Sequence, residues 1–249
     1  MLKLLKRFEN RELNYGTDII AEWIANARLS SDSRFLDVGC GSGNHSRAYL
    51  AHTPIPYDCR FGIEINDFYF SKAKDYLKVS KVDLEVDQLP YPDRFFSVIV
   101  ANQVLEHIKS LHWVLSEMDR CLAVGGYFIV GVPNLASLHN RVLLLLGQQP
   151  MAILVPGAHV RAFTASAIKR VLNLNPDFKV LRWSGSNFHP FPEKPARLLA
   201  KLFPSMAAYT FVLAQKICHS EEKWMGGNFM RQLQEREFET VYTGGKMPQ

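Results

Sequence analysis

Residues 35–44 read Phe35-Leu36-Asp37-Val38-Gly39-Cys40-Gly41-Ser42-Gly43-Asn44. The apolar run with its acid predicts a buried β-strand. The alternate glycines predict a tight turn, and the polar residues after them open a helix. In an α/β sheet, that order of strand, turn and helix start holds a nucleotide-like ligand. Glycine admits positive φ and lets a ligand approach where a Cβ would collide. The spacing separates ligand classes. A dinucleotide G-x-G-x-x-G counted from Gly39 needs glycine at position 44, where Asn44 stands. This disfavours a nicotinamide-dependent oxidoreductase. On the loop alone, a glycine-rich turn without ligand stays open.

The pattern Asp37-x-Gly39-x-Gly41-x-Gly43 resembles the first motif of class I S-adenosylmethionine (SAM)-dependent methyltransferases. The stretch 83–93, from Asp83 through Leu89-Pro90-Tyr91-Pro92-Asp93, resembles that family's acid-containing segment ending in Leu-Pro-Phe-x-Asp. A third set, Asn102, Glu106-His107, Gly125-Gly126 and Pro133-Asn134, resembles the small-molecule, ubiquinone-biosynthesis-like O-methyltransferase branch. The resemblance covers roughly residues 14–183. It implies SAM as cofactor, with Asp37, Gly39, Cys40, Gly41 and Gly43 around its methionine part. It further implies an acid on the adenine amino group and a neighbouring amide on the ring, here Asp83 and Leu84, with Glu85 and Asp87 as alternative registers. Asn102 falls on the cofactor side of the fourth strand. Tyr15 stands where the family folds an N-terminal segment over the cofactor; an ordinary packed tyrosine is the other reading. Glu64 lies 25 residues after Gly39, at a strand end beside Ile65. A carboxylate there accepts both ribose hydroxyl protons, or caps the next helix.

Strands are expected at 34–38, 58–65, 81–86, 95–101, 127–132, 178–183 and 209–215. Helices are expected after the glycine loop, after Asn66-Asp67, over Leu111–Cys121 and over Ala165–Leu174, with another over 17–28 behind a Thr17 cap. The alternation predicts an α/β, Rossmann-like, seven-stranded and mostly parallel sheet with helices on both faces. No crossover helix is evident between the sixth and seventh strands, so the last strand is expected to be antiparallel, as in the resembled fold. One domain is expected over 1–218, with apolar lid insertions at 135–158 and 184–208. Residues 219–249 read as a tail with one helix near 229–239.

A chain of 249 residues can bury a sizeable core, and 47% hydrophobic with 21% charged residues is a globular composition. The net charge of +5 admits an anionic partner or membrane surface, although the basic residues are spread along the chain. Cys40, Cys59, Cys121 and Cys218 form no C-x-x-C pair, which argues against a zinc knuckle or disulfide framework. They fit a reducing, cytoplasmic setting. No uncharged apolar run reaches the roughly 18 residues of a membrane span, and residues 1–8 lead into no signal-peptide core. The closest expected approach to a membrane is peripheral.

Methyl transfer from a sulfonium is an in-line displacement, and alignment of the three reacting centres supplies much of the rate. A base for the acceptor proton is best served by histidine. His107 follows the fourth strand and His159 precedes the helix after the fifth, so both can reach the carboxyl edge; a helix histidine satisfied by a carbonyl is the competing reading. Some similar O-methyltransferases hold a divalent ion with Glu-x-x-Glu-His and a distant His. Here Glu106, His107 and His159 match, but Gln103 replaces the first Glu, and an amide oxygen is a weaker ligand for a hard cation. No metal is therefore assigned. Asn102-Gln103-Val104-Leu105 is not the Asn/Asp-Pro-Pro-Tyr of amino-group methylation, and the Pro-Cys of cytosine methylation is missing. Nucleic acid is disfavoured, with RNA ribose methylation left open by the basic charge. The expected acceptor is small or lipid-like and methylated on oxygen; a non-catalytic SAM-binding protein is the alternative. The insertions carry apolar runs at 142–146 and 151–155, then Phe188, Phe191, Leu198, Leu199, Leu202 and Phe203, interleaved with Lys194, Arg197 and Lys201. That mix suits an anionic membrane surface or a packed lid.

Overall fold

In chain order the elements of the computed structural model are α1 (Thr17–Ala25), β1 (Phe35–Val38), α2 (Asn44–Tyr49), β2 (Arg60–Ile63), α3 (Asp67–Ala73), β3 (Lys78–Ser80), β4 (Phe96–Asn102), α4 (Leu111–Cys121), β5 (Leu122–Pro133), α5 (Leu138–Leu145), α6 (Ala165–Leu174), β6 (Phe178–Ser186), α7 (Glu193–Leu202) and β7 (Tyr209–Lys216). The structure describes residues 16–155 and 157–220; Tyr15 and the expected helix at 229–239 lie outside them.

One sheet takes the order β3-β2-β1-β4-β5-β7-β6. The β3-β2-β1-β4-β5 pairings are parallel, and β7 runs antiparallel to both β5 and β6. The central strands β1 and β4 are mainly apolar and largely buried because both sheet faces are covered. Side chains alternate between faces. Leu36, Val38, Ile99 and Ala101 join Leu115 and Met118 of α4 and Ile168 and Leu172 of α6 on one side. Phe35, Val98 and Val100 join Ile20, Trp23 and Ile24 of α1 and Tyr49 of α2 on the other.

Two expectations change. The third strand is Lys78–Ser80 rather than 81–86. Asp83 bends the chain there: its Oδ1 accepts the Glu85 N–H at 3.0 Å and its carbonyl accepts the Asp87 N–H at 2.8 Å. Such a side-chain turn competes with strand pairing. The two insertions also carry helices, α5 and α7. In the second, Pro192 is the N-cap of α7 and Pro195 falls in its first turn, where a missing N–H costs nothing. Pro133, Ser186 and Tyr209 share one end of the sheet by register, so both insertions leave from the carboxyl edge of the parallel strands. A small third cluster joins them. Leu138 of α5 and Leu199 of α7 pack against Phe188, Ala196, Ala200 and Ala207.

Candidate active site at the carboxyl edge of the sheet

Strand order reverses between β1 and β4, which opens a crevice beyond their carboxyl ends. The glycine loop forms one wall. Gly41 has φ +53°, and a Cβ there would meet no protein atom within 4 Å. Gly39 differs: its Cβ would stand 2.6 Å from Val104 Cγ2. Gly39 thus serves close packing, and Gly41 keeps space open beside the loop. Gly43 is the N-cap of α2, and the Cys40 N–H donates to Ile63 O at 2.9 Å, tying the loop to β2. Asp37 is buried behind the loop, and Ser46 of α2 donates its hydroxyl to the Asp37 carboxylate. Burial raises the Asp37 carboxyl to about 7; the Ser46 bond opposes this and the charge of Glu64 adds to it.

Glu64 caps the start of α3 and also ties the glycine loop to β2. Its Oε2 accepts the Gly41 N–H at 2.9 Å and its Oε1 accepts the Asn66 N–H at 2.7 Å. Each carboxylate oxygen keeps further acceptor capacity. Beside it, Ile65 is 53% exposed, an uncovered apolar side chain at a strand end. Of the three acids after β3, Glu85 caps α4 through the Lys109 and Ser110 N–H groups at 2.6 and 2.9 Å. Asp87 accepts the Asp83 N–H at 2.8 Å. Asp83 accepts through Oδ1 and Asp87 through Oδ2, so each of these two commits one carboxylate oxygen where Glu85 commits both. Leu84 follows it, half-buried. Asn102 ends β4 and donates to the Tyr49 hydroxyl at 2.9 Å.

The opposite wall brings together residues far apart in sequence. The Val160 N–H donates to Glu106 O at 2.9 Å, and the Arg161 guanidinium donates to Ile108 O and Lys109 O at 2.8 and 2.7 Å. This seam sets the His107 and His159 rings edge to face, 4.8 Å between centroids. His107 Nδ1 lies 3.2 Å from Ala158 O, and His159 Nδ1 lies 2.9 Å from Ala152 O. A carbonyl only accepts, so each Nδ1 carries the proton and each neutral Nε2 presents a lone pair. Burial holds the His107 pKa below the usual imidazole value; the Ala158 bond opposes this and the facing His159 adds to it. The carbonyl contact expected of a bystander histidine therefore also fixes the tautomer that a base requires.

Glu106, which entered the sequence reading only through the unassigned metal pattern, completes the group. It is 1% exposed, and neither carboxylate oxygen bonds to another described residue. Ligand atoms of Glu106, His107 and His159 lie within 4.8 Å of one another, so the three could hold a cation. Burial raises the Glu106 carboxyl to about 7, with its own backbone N–H opposing. Between the ordinary carboxylate range and about 7 the unfolded chain ionises while the folded chain keeps the proton. Stability from this source is therefore present at low pH and is lost as pH rises through 7. Glu106→Gln is expected to gain on the order of 3 kcal/mol over wild type at pH 8, with the gap closing toward pH 5. Urea unfolding at both pH values measures it.

Comparison with known proteins agrees with this geometry. Residues 9–181 match a methyltransferase-domain family. The chain belongs to it. Its cofactor is SAM. A sterol 24-C-methyltransferase of Gibberella zeae is 30% identical over 110 residues, 41% of this chain and 28% of that protein. The 27-O-demethylrifamycin SV methyltransferase of Amycolatopsis mediterranei is 29% identical over 121 residues, 44% of this chain and 43% of its own. The methyltransferase thus spans less than half the length of these relatives. Among solved structures, a SAM-dependent methyltransferase from Archaeoglobus fulgidus aligns with TM-score 0.55 at 17% identity, over 80% of this chain and 92% of the other. The [4+2]-cyclase SpnF aligns with TM-score 0.58 at 21% identity, over 82% and 81%. Both share the fold. The crevice fits SAM in two respects: the loop leaves space at Gly41, and an acid beside an uncovered apolar side chain follows β2.

Proposed function

We propose that this methyltransferase alkylates an oxygen of a small apolar or lipid-like acceptor, with the His107–His159 pair taking the acceptor's proton. In this reading Gly39, Cys40, Gly41 and Gly43 hold the methionine part of SAM, and Asp37 braces them. Glu64 and Ile65 take the ribose side, Asp83 and Leu84 take the adenine, and Asn102 lines the floor. Bound SAM supplies an electrophilic methyl and its own leaving group. The protein supplies alignment and a lone pair on a histidine Nε2, which receives the hydroxyl proton as the new C–O bond forms. The two Nδ1 atoms fixed by backbone carbonyls are the observation that carries the proposal.

The acceptor class rests on the apolar insertions beside the crevice. Two relatives add weight, one named for a sterol carbon and one for a rifamycin oxygen. Glu64→Gln is expected to weaken SAM binding by ~1–3 kcal/mol, the range for a charge-assisted hydrogen bond. Titration calorimetry with S-adenosylhomocysteine measures it, and equal affinity returns Glu64 to capping alone.

Cell extract incubated with the enzyme and methyl-labelled SAM, then resolved by mass spectrometry, tests the function. The expected product is an apolar methyl ether, formed equally with and without a chelator. Label in RNA, a requirement for added metal, or no label in any acceptor would each overturn this reading.

A further inference from the structure

The exposed apolar surface of the first insertion lacks the composition of an ordinary protein surface. Residues 142–158 carry no charge. Leu138, Val142 and Leu145 form one stripe of α5 at helical spacing. The stripe begins against the third cluster at Leu138 and ends clear of the protein, with Leu145 86% exposed. Leu144, Leu146, Met151, Leu154 and Val155 are each at least half exposed. Contiguous apolar exposure of this kind marks a surface for a partner or a membrane.

Charge beside it selects between those partners. On α7, Ala196 and Ala200 face the third cluster. The opposite side of the helix combines Lys194, Leu198, Lys201 and Leu202, the two leucines 59% and 61% exposed. A solvated helix face has no reason to expose two leucines between two lysines, whereas a helix lying on lipid headgroups does. Arg197 does not belong to this set, because it pairs with Glu193 at 2.9 Å and Asp18 at 3.3 Å. Lys194 and Lys201 form no ion pair among the described residues. α5 and α7 meet through Leu138 and Leu199. The insertion also touches the catalytic group directly, through Ala152 O on His159 and Ala158 O on His107.

We propose that 142–155 and the Lys194–Leu202 face of α7 dock together on an anionic bilayer surface, which delivers the acceptor along the insertion to the histidines. The delivery rests on the lipid-like acceptor reading above; the docking does not.

Flotation with vesicles of phosphatidylcholine alone, or containing phosphatidylglycerol, tests it on the full chain. Wild type is expected to float with the anionic vesicles at low salt and to be released at high salt. Lys194→Gln with Lys201→Gln is expected to lower partitioning roughly 25-fold, about fivefold for each lysine. Leu145→Asp with Leu146→Asp, at positions already exposed, is expected to abolish flotation. Absence of flotation, flotation unaffected by either double variant, or equal flotation on neutral vesicles would overturn the proposal. So would a concentration-dependent dimer that Leu145→Asp/Leu146→Asp dissolves, which would assign the surface to a second copy. Binding of S-adenosylhomocysteine, measured in parallel, separates the two readings. The Leu145/Leu146 variant should bind it as wild type does, and a Glu64→Gln variant with weakened SAM binding should still float.

Discussion

Gly41→Ala is expected to leave a folded protein that binds SAM and S-adenosylhomocysteine about 100-fold more weakly. The added Cβ meets no protein atom within 4 Å. The fold therefore carries only the strain of a side chain at φ +53°, roughly 1–2 kcal/mol. A ligand lying along the loop meets that methyl directly, and crowding of this kind costs roughly 1–3 kcal/mol. Gly39→Ala is the contrasting variant. Its Cβ would stand 2.6 Å from Val104 Cγ2, so its defect should appear as lost stability. Calorimetric titration together with urea unfolding separates the two. Unchanged affinity in folded Gly41→Ala would remove the cofactor from this side of the loop.

The second large effect is expected on turnover. His107→Ala should lower kcat by about 10²–10⁴, the usual contribution of a general base, with SAM affinity unaffected. The pH profile identifies which ring takes the proton. A base works only when unprotonated, so the wild-type rate should rise with pH and level off at or below the ordinary imidazole value, because burial and the facing His159 hold His107 down. Removing His159 takes away that opposing charge. His159→Ala should therefore move the rising limb to higher pH, whereas His107→Ala should abolish it. If His107→Ala keeps the limb and His159→Ala loses it, the roles are reversed. If neither variant alters the profile, the pair holds structure only.

The glycine loop and the acids after β2 and β3 were legible because their signals are local. A glycine at φ > 0, an acid at a strand end and an acid-rich turn each act within a few residues. Asp37, Gly41, Glu64 and Asp83 all fall around one crevice that the strand order creates. Even there, only hydrogen bonds set Glu85, both of whose oxygens cap α4, apart from Asp83 and Asp87, each of which commits one oxygen. The third strand was misplaced for a related reason. Its residues look extended by composition, but the Asp83 side chain bonds the backbone ahead of it and turns the chain.

The sequence by itself determined the alternation of strands and helices, the glycine loop and the acids that follow the strands, because hydrophobic period and backbone freedom are properties of neighbouring residues. Only the tertiary structure decided the other half. The chain after β5 returns along Glu106–Lys109 and sets His159 against His107. Backbone carbonyls of the same insertion fix both imidazole tautomers. Burial leaves Glu106 1% exposed and its carboxylate without a hydrogen-bond partner among the described residues. The two insertions, read from sequence as apolar lids, carry helices that share one small cluster while their remaining apolar side chains are exposed among the described residues. These features depend on contacts between distant segments, and no local pattern encodes a contact whose partner is elsewhere in the chain.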